Sequence, residues 1–444
     1  MKKIISLLLL IMVAVSPIAL ISCADDGEDF TGELTLNVYN WGEYISDGSL
    51  GSYDTNAEFE AYYYAKTGRR VRVNYTTYAT NEDMYAKISS GAGSYDVIIP
   101  SDYMIQKMIA EDLLLPLNFD LIPNFENIEE DYRNRYYDPE NAYSVPYTYG
   151  MVGIIYNTTM VDPEDVADES WSLLWNEKYR GKILQFNNPR DGFGTAMYYK
   201  HLDVNSKDPA VWEEAQRILS EQKHLIQAYV SDEIFNKMQS GSAAIGTYYA
   251  GDYLTMVEQN DALAFYYPKE GTNVFIDAMC IPKCAKNVEL ANEYINFMLS
   301  EEPAVANALY IGYASPNKAV KASSDYYDPS RFDDEDYEGW GEEEYAILYG
   351  QSAADIEEQC GFDPFFHSFD DETQELVNSL WEGLKTESSI EPWVRVTAIV
   401  IVVGVIGYAS YIIYIRKARS CEYRLRDREI AKRRKEAAKN AGNK

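Results

Sequence analysis

The chain has 444 residues, 46% of them hydrophobic and 25% charged, with a formal net charge of −32. This length allows two or three domains or one large bilobed unit, and the composition is that of a globular chain, not a disordered one. The acidic balance argues against nucleic acid as a partner, because phosphate would be repelled, and only three His leave little room for His-based metal sites.

Residues 1–23 read as a secretory signal. Lys2 and Lys3 precede a nearly unbroken apolar run from Ile4 to Ile21. The run ends in Leu20-Ile21-Ser22-Cys23, which resembles the bacterial lipoprotein signal and implies lipidation at Cys23. Residues 24–33 follow as a polar linker.

Strand-like and helical runs then alternate. Leu34 to Tyr39 alternates with period two and predicts a strand. Asn56 to Thr67 predicts a helix, capped by Asp54 or Thr55 and stopped by Gly68. Arg70 to Tyr75 and Asp96 to Pro100 read as strands, and Glu82 to Ser90 and Met104 to Ala110 as helices. This βαβαβα order predicts an α/β unit with a mainly parallel sheet, whose ligands sit beyond the carboxyl ends of the strands. Further strands are expected at Met151–Tyr156, Ile183–Phe186, Ala243–Thr247, Ala262–Tyr267 and Val274–Ile281. Helices are expected at Asp208–Glu221, Ser231–Ser240 and Val288–Ser300. Ser323 to Glu344, acidic and Tyr-rich, reads as a surface segment.

Val396 to Ile415 carries no charge for twenty residues, about the length that crosses a hydrocarbon core, and Trp393 precedes it. A transmembrane helix is expected over 394–415. Residues 416–444 then hold twelve Lys/Arg against four Asp/Glu, which predicts a basic cytoplasmic tail. Residues 24–392 hold 24 Lys/Arg against 67 Asp/Glu, a potential that concentrates cations. Cys280 and Cys284 have no nearby His or second Cys pair, so free thiols are expected there and at Cys360, not zinc. No Walker loop, GxSxG or HExxH motif and no nucleophile–base arrangement is visible, so no enzymatic activity and no cofactor are expected.

The order of motifs over residues 34–386 resembles the spermidine/putrescine-binding proteins of ABC importers, within the bacterial extracellular solute-binding proteins. The marks are Asn40-Trp41-Gly42-Glu43-Tyr44, Tyr75 to Lys87, Tyr95 to Ser101, Tyr143 to Tyr147, Pro268-Lys269-Glu270-Gly271 and Ile311 to Asn317. The resemblance implies two α/β lobes of the periplasmic-binding-protein type, joined by hinge strands and closing on ligand. Lobe 1 is expected over 34–146 and 278–320, lobe 2 over 147–277 and 321–388, with crossings near 146–150, 272–278 and 318–325. It implies a polyamine ligand, permease subunits as partners, and an extracytoplasmic binding region held to the membrane by a lipid and a helix.

By the same resemblance the ligand-contacting positions fall on Trp41, Tyr44, Ser101, Tyr103, Asn188, Asp191, Tyr249, Phe275, Asp277 and Tyr313. The family's pair of carboxylates in the second lobe becomes Asn188 and Asp191 here, an amide for one acid, and this leans the expected ligand towards a diamine. Aromatic faces can cover methylenes and attract ammonium groups, and carboxylates can fix them. Asp277 lies in an otherwise apolar strand, and a buried acid needs a partner. Asp191 is expected to matter less if it lies nearer solvent. Two readings stay open beside the polyamine receptor: a receptor of the same fold for another small cationic or polar solute, and a membrane-anchored ligand sensor.

Overall fold

A computed structural model of the chain describes residues 32–334, 337, 339–386, 400–401, 403–405, 407–412 and 430–433. The signal segment, Cys23, most of the linker and most of the basic tail lie outside the described residues. The described part of the apolar run is helical. Among the described residues no helix is long and apolar enough to cross a membrane. The chain forms two compact units, Met1–Leu384 and Lys385–Lys444, and the first carries the sheet.

Strand β1 (Leu34–Trp41) buries Leu36 and Val38 completely. Helix α1 (Thr55–Thr67) starts where the Asp54 carboxylate accepts from the Ala57 N–H and stops at Gly68, whose φ of 71° suits glycine. Strand β2 (Val71–Tyr78), helix α2 (Asn81–Ser89), strand β3 (Val97–Ile98) and helix α3 (Asp102–Ala110) complete the first βα run. β1 pairs in parallel with both β2 and β3, as the alternation of strands and helices predicts.

The second half begins after the short β4 (Leu114–Leu115) with β5 (Ser144–Asn157), which is longer than the expected Met151–Tyr156. Then follow β6 (Ile183–Phe186), α4 (Pro189–Tyr199), α5 (Pro209–Gln222), β7 (Ile226–Val230) and α6 (Glu233–Gln239). The chain continues through β8 (Ile245–Tyr249), α7 (Ala250–Val257), β9 (Leu263–Tyr266), β10 (Val274–Pro282), α8 (Val288–Met298) and α9 (Glu301–Ile311). The sheet order is β2-β1-β3-β10-β5-β8-β6-β7. β6 is parallel to β7 and β8, whereas β5 and β10 run antiparallel to each other along Ser144–Met151 and Val274–Cys280. The sheet is therefore mixed. Two parallel halves are joined by a pair of long antiparallel strands, the two-lobed α/β architecture of periplasmic binding proteins.

Pro146 lies inside the crossing strand β5 and has no N–H to give the ladder. The ladder answers with a register shift: Asp277 faces Thr148 while Ala278 faces Pro146. The Ala278 N–H turns to the Pro100 carbonyl at 3.0 Å, and Ser101 forms a bridge with Asp277. Such a bulge re-aims side chains, and it lies at the acid picked out in the sequence.

The core lies on both sides of the crossing strands. One apolar cluster packs Leu36, Val38, Phe59, Val97 and Ile99 against Tyr294 and Ile295 of α8. The larger one packs Ile183, Leu184 and Phe186 against Phe193, Met197 and Trp212. The Tyr-rich segment after residue 323 departs from the surface reading, for Tyr326 is fully buried and Trp340 nearly so. Its rings have too much apolar area to leave in water, and Tyr327 stacks on Tyr345 with centroids 3.9 Å apart.

Candidate ligand-binding site

The carboxyl ends of β1 and β3, the bulge of β10 and the starts of α4 and α7 converge on one cleft with an empty volume of about 1020 Å³, including solvent space at its mouth. All ten residues named from the sequence line it.

Asp277 is 4% exposed. The Tyr44 hydroxyl donates to its Oδ2 at 2.7 Å. A tyrosine has one hydroxyl proton, so the Thr148 hydroxyl, 2.5 Å away, is left to donate into Tyr44. Asp277 Oδ1 is shielded and has no hydrogen-bond partner. Burial pushes the carboxyl up from its ordinary value to about 6, with Ser101 and Tyr44 pulling it back and Asp191 adding repulsion.

The opposing acid, Asp191, sits in the first turn of α4. Pro189 opens that helix, and the Asn188 side chain caps it by accepting from the Asp191 N–H at 2.9 Å. Asn188 Nδ2 donates back to Asp191 Oδ2 at 2.9 Å, and the Tyr249 hydroxyl donates to the same oxygen at 2.7 Å. Both polar ends of Asn188 are thus engaged with Asp191. Burial raises the Asp191 carboxyl, and the residue is partly buried where Asp277 is buried, so of the two acids it lies nearer solvent.

The aromatic side chains form a continuous wall. The Tyr44 and Tyr313 rings meet edge to face at 5.1 Å, Tyr313 meets Phe275 at 5.9 Å, and Phe275 meets Tyr249 at 5.3 Å. Gly312 ends α9 with φ 72° and turns Tyr313 into the cleft. Gly251 leaves room for that ring, since a Cβ there would fall 2.2 Å from it. On the other flank the Trp41 indole N–H donates to the Ile99 carbonyl at 2.9 Å and its ring lies 4.6 Å from Tyr78. Ser101 and Tyr103 are tied to Asn81, whose Nδ2 donates to both hydroxyls at 3.1 Å.

The cleft holds more charge than the sequence reading assigned. Glu43, Glu82, Asp102, Asp232 and Asp252 line it beside Asp191 and Asp277, seven carboxylates in all, with Arg190 as the basic side chain. Asp252, in the first turn of α7, accepts from the Tyr313 hydroxyl at 2.9 Å. Burial pushes it up to about 8, against that bond and with Asp232 and Glu43 adding to the rise. Asp252 follows Tyr249 by three residues, the helical spacing that would have exposed it had α7 been expected. Glu82 accepts from the Tyr103 hydroxyl at 3.1 Å, and burial raises its carboxyl. Asp102 is structural, accepting from the Tyr103 and Ile276 N–H groups. Arg190 is 3% exposed, stacked on Phe366 and Phe369 at 4.4 and 4.0 Å, and donates to the His367 carbonyl at 3.0 Å.

Among the described residues no cluster of His, Cys, Asp or Glu has the geometry of a metal site, and Cys280, Cys284 and Cys360 are free thiols.

The sequence profile described as Bacterial extracellular solute-binding protein matches residues 57–332. The chain is 33% identical over 288 residues, 65% of its own length and 79% of the relative's, to the spermidine/putrescine-binding periplasmic protein of Escherichia coli (strain K12). Among solved structures, the spermidine/putrescine ABC transporter substrate-binding protein PotD of Streptococcus pneumoniae is similar with a TM-score of 0.61 and 34% identity, covering 79% of this chain and 98% of that one. The TpPotD lipoprotein of Treponema pallidum is similar with a TM-score of 0.64 and 25% identity, covering 79% and 99%. The fold, the interlobe cleft and these likenesses agree: the chain belongs to the bacterial extracellular solute-binding protein family.

Proposed function

We propose that the chain captures a linear polyamine, putrescine or spermidine, in this cleft and delivers it to the permease subunits of an ABC importer. The observation that carries the reading is the set of shielded carboxylate oxygens without donors, Asp277 Oδ1 and Asp191 Oδ1, within an aromatic-walled cleft. A polyamine matches that set with N–H donors and positive charge at fixed spacing along an apolar chain. Each charged hydrogen bond contributes roughly 1.5–3 kcal/mol and each ring–cation contact roughly 0.5–2 kcal/mol. Asp277 is the main ammonium partner and Asp191 the second. Trp41, Tyr44, Tyr103, Tyr249, Phe275 and Tyr313 cover the methylenes, Ser101 supports Asp277, and Asn188 holds Asp191. The spermidine/putrescine-binding proteins to which the chain is similar support the same ligand class.

The lobe limits and hinge crossings expected from the sequence belong to this proposal, as does anchoring at both ends. Cys23 carries a lipid, 394–415 crosses the membrane, residues 24–392 lie outside and 416–444 inside. A second reading, a cationic solute that also bears a carboxylate, is favoured by Arg190 in the cleft wall. Thermal stabilisation and calorimetry across diamines, triamines, basic amino acids and sugars separate the two. The polyamine reading expects binding by putrescine or spermidine and none by sugars. Silence with both amines overturns it, and binding by basic amino acids alone establishes the second reading.

A further inference from the structure

Asn273 stands at the foot of β10, one residue before the strand, and none of the sequence motifs singled it out. Its backbone is fixed: the Val152 N–H donates to the Asn273 carbonyl at 3.3 Å, and the Thr272 hydroxyl donates to the Val152 carbonyl at 2.7 Å. Its side chain lines the cleft, is 5% exposed, and ends in an Oδ1 that is shielded and has no donor. Buried amide oxygens are nearly always paired, so this one is an acceptor suited to an N–H or O–H.

The neighbouring acid fixes which way the amide faces. Asn273 and Asp191 line the cleft together, and an amide beside a carboxylate favours the charge by turning its NH2 end towards it and its carbonyl end away. With NH2 turned to the carboxylate, the carbonyl is left for the cleft. Asp191 Oδ1 is the other shielded acceptor on this side, and it too has no donor. Asn188 spends its Oδ1 on the Asp191 N–H and directs its Nδ2 to Asp191 Oδ2, away from both of these oxygens.

We propose that Asn273 is a ligand-binding residue whose Oδ1 accepts an N–H of one ammonium group, beside Asp191 Oδ1, so that this end of the cleft holds a protonated amine with one carboxylate and one neutral acceptor. The inference rests on the polyamine reading and adds a specificity-determining contact to it. The site requires N–H donors as well as charge, so it takes a primary or secondary ammonium in preference to a quaternary one.

The test is calorimetry on the full chain in detergent with putrescine and with spermidine, for the unaltered protein, Asn273→Ala, Asp191→Asn and the double variant. Asn273→Ala is expected to weaken binding roughly tenfold to a hundredfold, the effect of one hydrogen bond to a charged group. Because both residues meet the same ammonium, adding Asn273→Ala to Asp191→Asn should weaken binding less than it does alone. Unchanged affinity in Asn273→Ala, or losses that simply multiply, overturns the inference while leaving the polyamine reading standing. Silence of the unaltered protein with both amines instead removes the polyamine reading itself, and the inference falls with it. Should Asn273→Ala unfold, Asn273→Asp decides, since it keeps an acceptor of the same shape. Binding at pH 8 at least as tight as the unaltered protein supports the contact, and loss of binding overturns it.

Discussion

Tyr44 and Asp277 are 233 residues apart in sequence and joined by a 2.7 Å hydrogen bond. The bond occupies one carboxylate oxygen and leaves the other shielded and donorless. Tyr44 thereby orients the acid without neutralising it. The expected consequence is that Asp277→Asn folds normally but loses about 2–5 kcal/mol of polyamine binding, the usual effect of removing one partner of a buried charge pair. That is roughly thirtyfold to several thousandfold in Kd by calorimetry. Full binding by Asp277→Asn would remove this acid from the site.

The raised carboxyls make binding and stability respond to pH in opposite directions. Burial pushes Asp277 up to about 6 and Asp252 to about 8, both above the ordinary 3.8. The folded state therefore holds more protons than the unfolded one across this interval. The stability these groups contribute is present in full below about pH 4 and is lost as pH rises through 6 and then 8. An ammonium ligand needs them ionised, so polyamine affinity should rise from pH 6 to pH 8 and binding should release protons. Titrations near pH 6.5 in two buffers of different ionisation enthalpy read that release directly. Zero proton release would contradict the assignment.

Gly251 is expected to tolerate no side chain. A Cβ there would fall 2.2 Å from the Tyr313 ring. Gly251→Ala should lower stability by roughly 1–3 kcal/mol, the usual range for overpacking, and should weaken ligand binding because Tyr313 must move. Thermal melts with and without putrescine check both. Melting and affinity equal to the unaltered protein would show that the ring does not hold the place described.

Closure should be visible in solution. The two sheet halves are joined mainly by β5 and β10, and few connecting strands suit a hinge. Scattering from a fragment of residues 24–392 is expected to show a smaller radius of gyration at saturating polyamine. An unchanged profile would argue for a cleft that does not close.

Anchoring has its own test. Protease added to intact cells should digest the region 24–392 and spare 416–444. Loss of the basic tail from outside would reverse the proposed orientation.

The parts of this fold that could be read from sequence are those where local pattern and tertiary need coincide. Leu34–Tyr39 alternates because one face is core, and the helix after Asp54 has its cap and its Gly68 stop in plain view. Helix α4 escaped notice because Pro189, Gly192 and Gly194 weaken any helical pattern, although Pro189 suits a first turn. Its glycines answer tertiary demands instead: a Cβ on Gly192 would fall 2.4 Å from the Trp381 ring, a contact between distant segments. The site residues carried by motif order all reached the cleft. Glu82, Asp252 and Asn273 did not stand out, because an acid or amide in a polar stretch looks solvated until the fold buries it. Asn188 reads as a lost charge in the sequence, while the structure makes it the cap and clamp of Asp191.

The seven carboxylates have a consequence for the carrier without cargo. Glu43, Glu82, Asp191, Asp232, Asp252 and Asp277 line the same space. Drawing the lobes together around nothing would crowd like charges into a region of low dielectric, where their repulsion grows. A cation of the right length removes that opposition, and a neutral molecule of the same size does not. Under the proposed function closure then depends on what is carried, and a transporter that recognises the shut form would ignore unladen copies however many surround it.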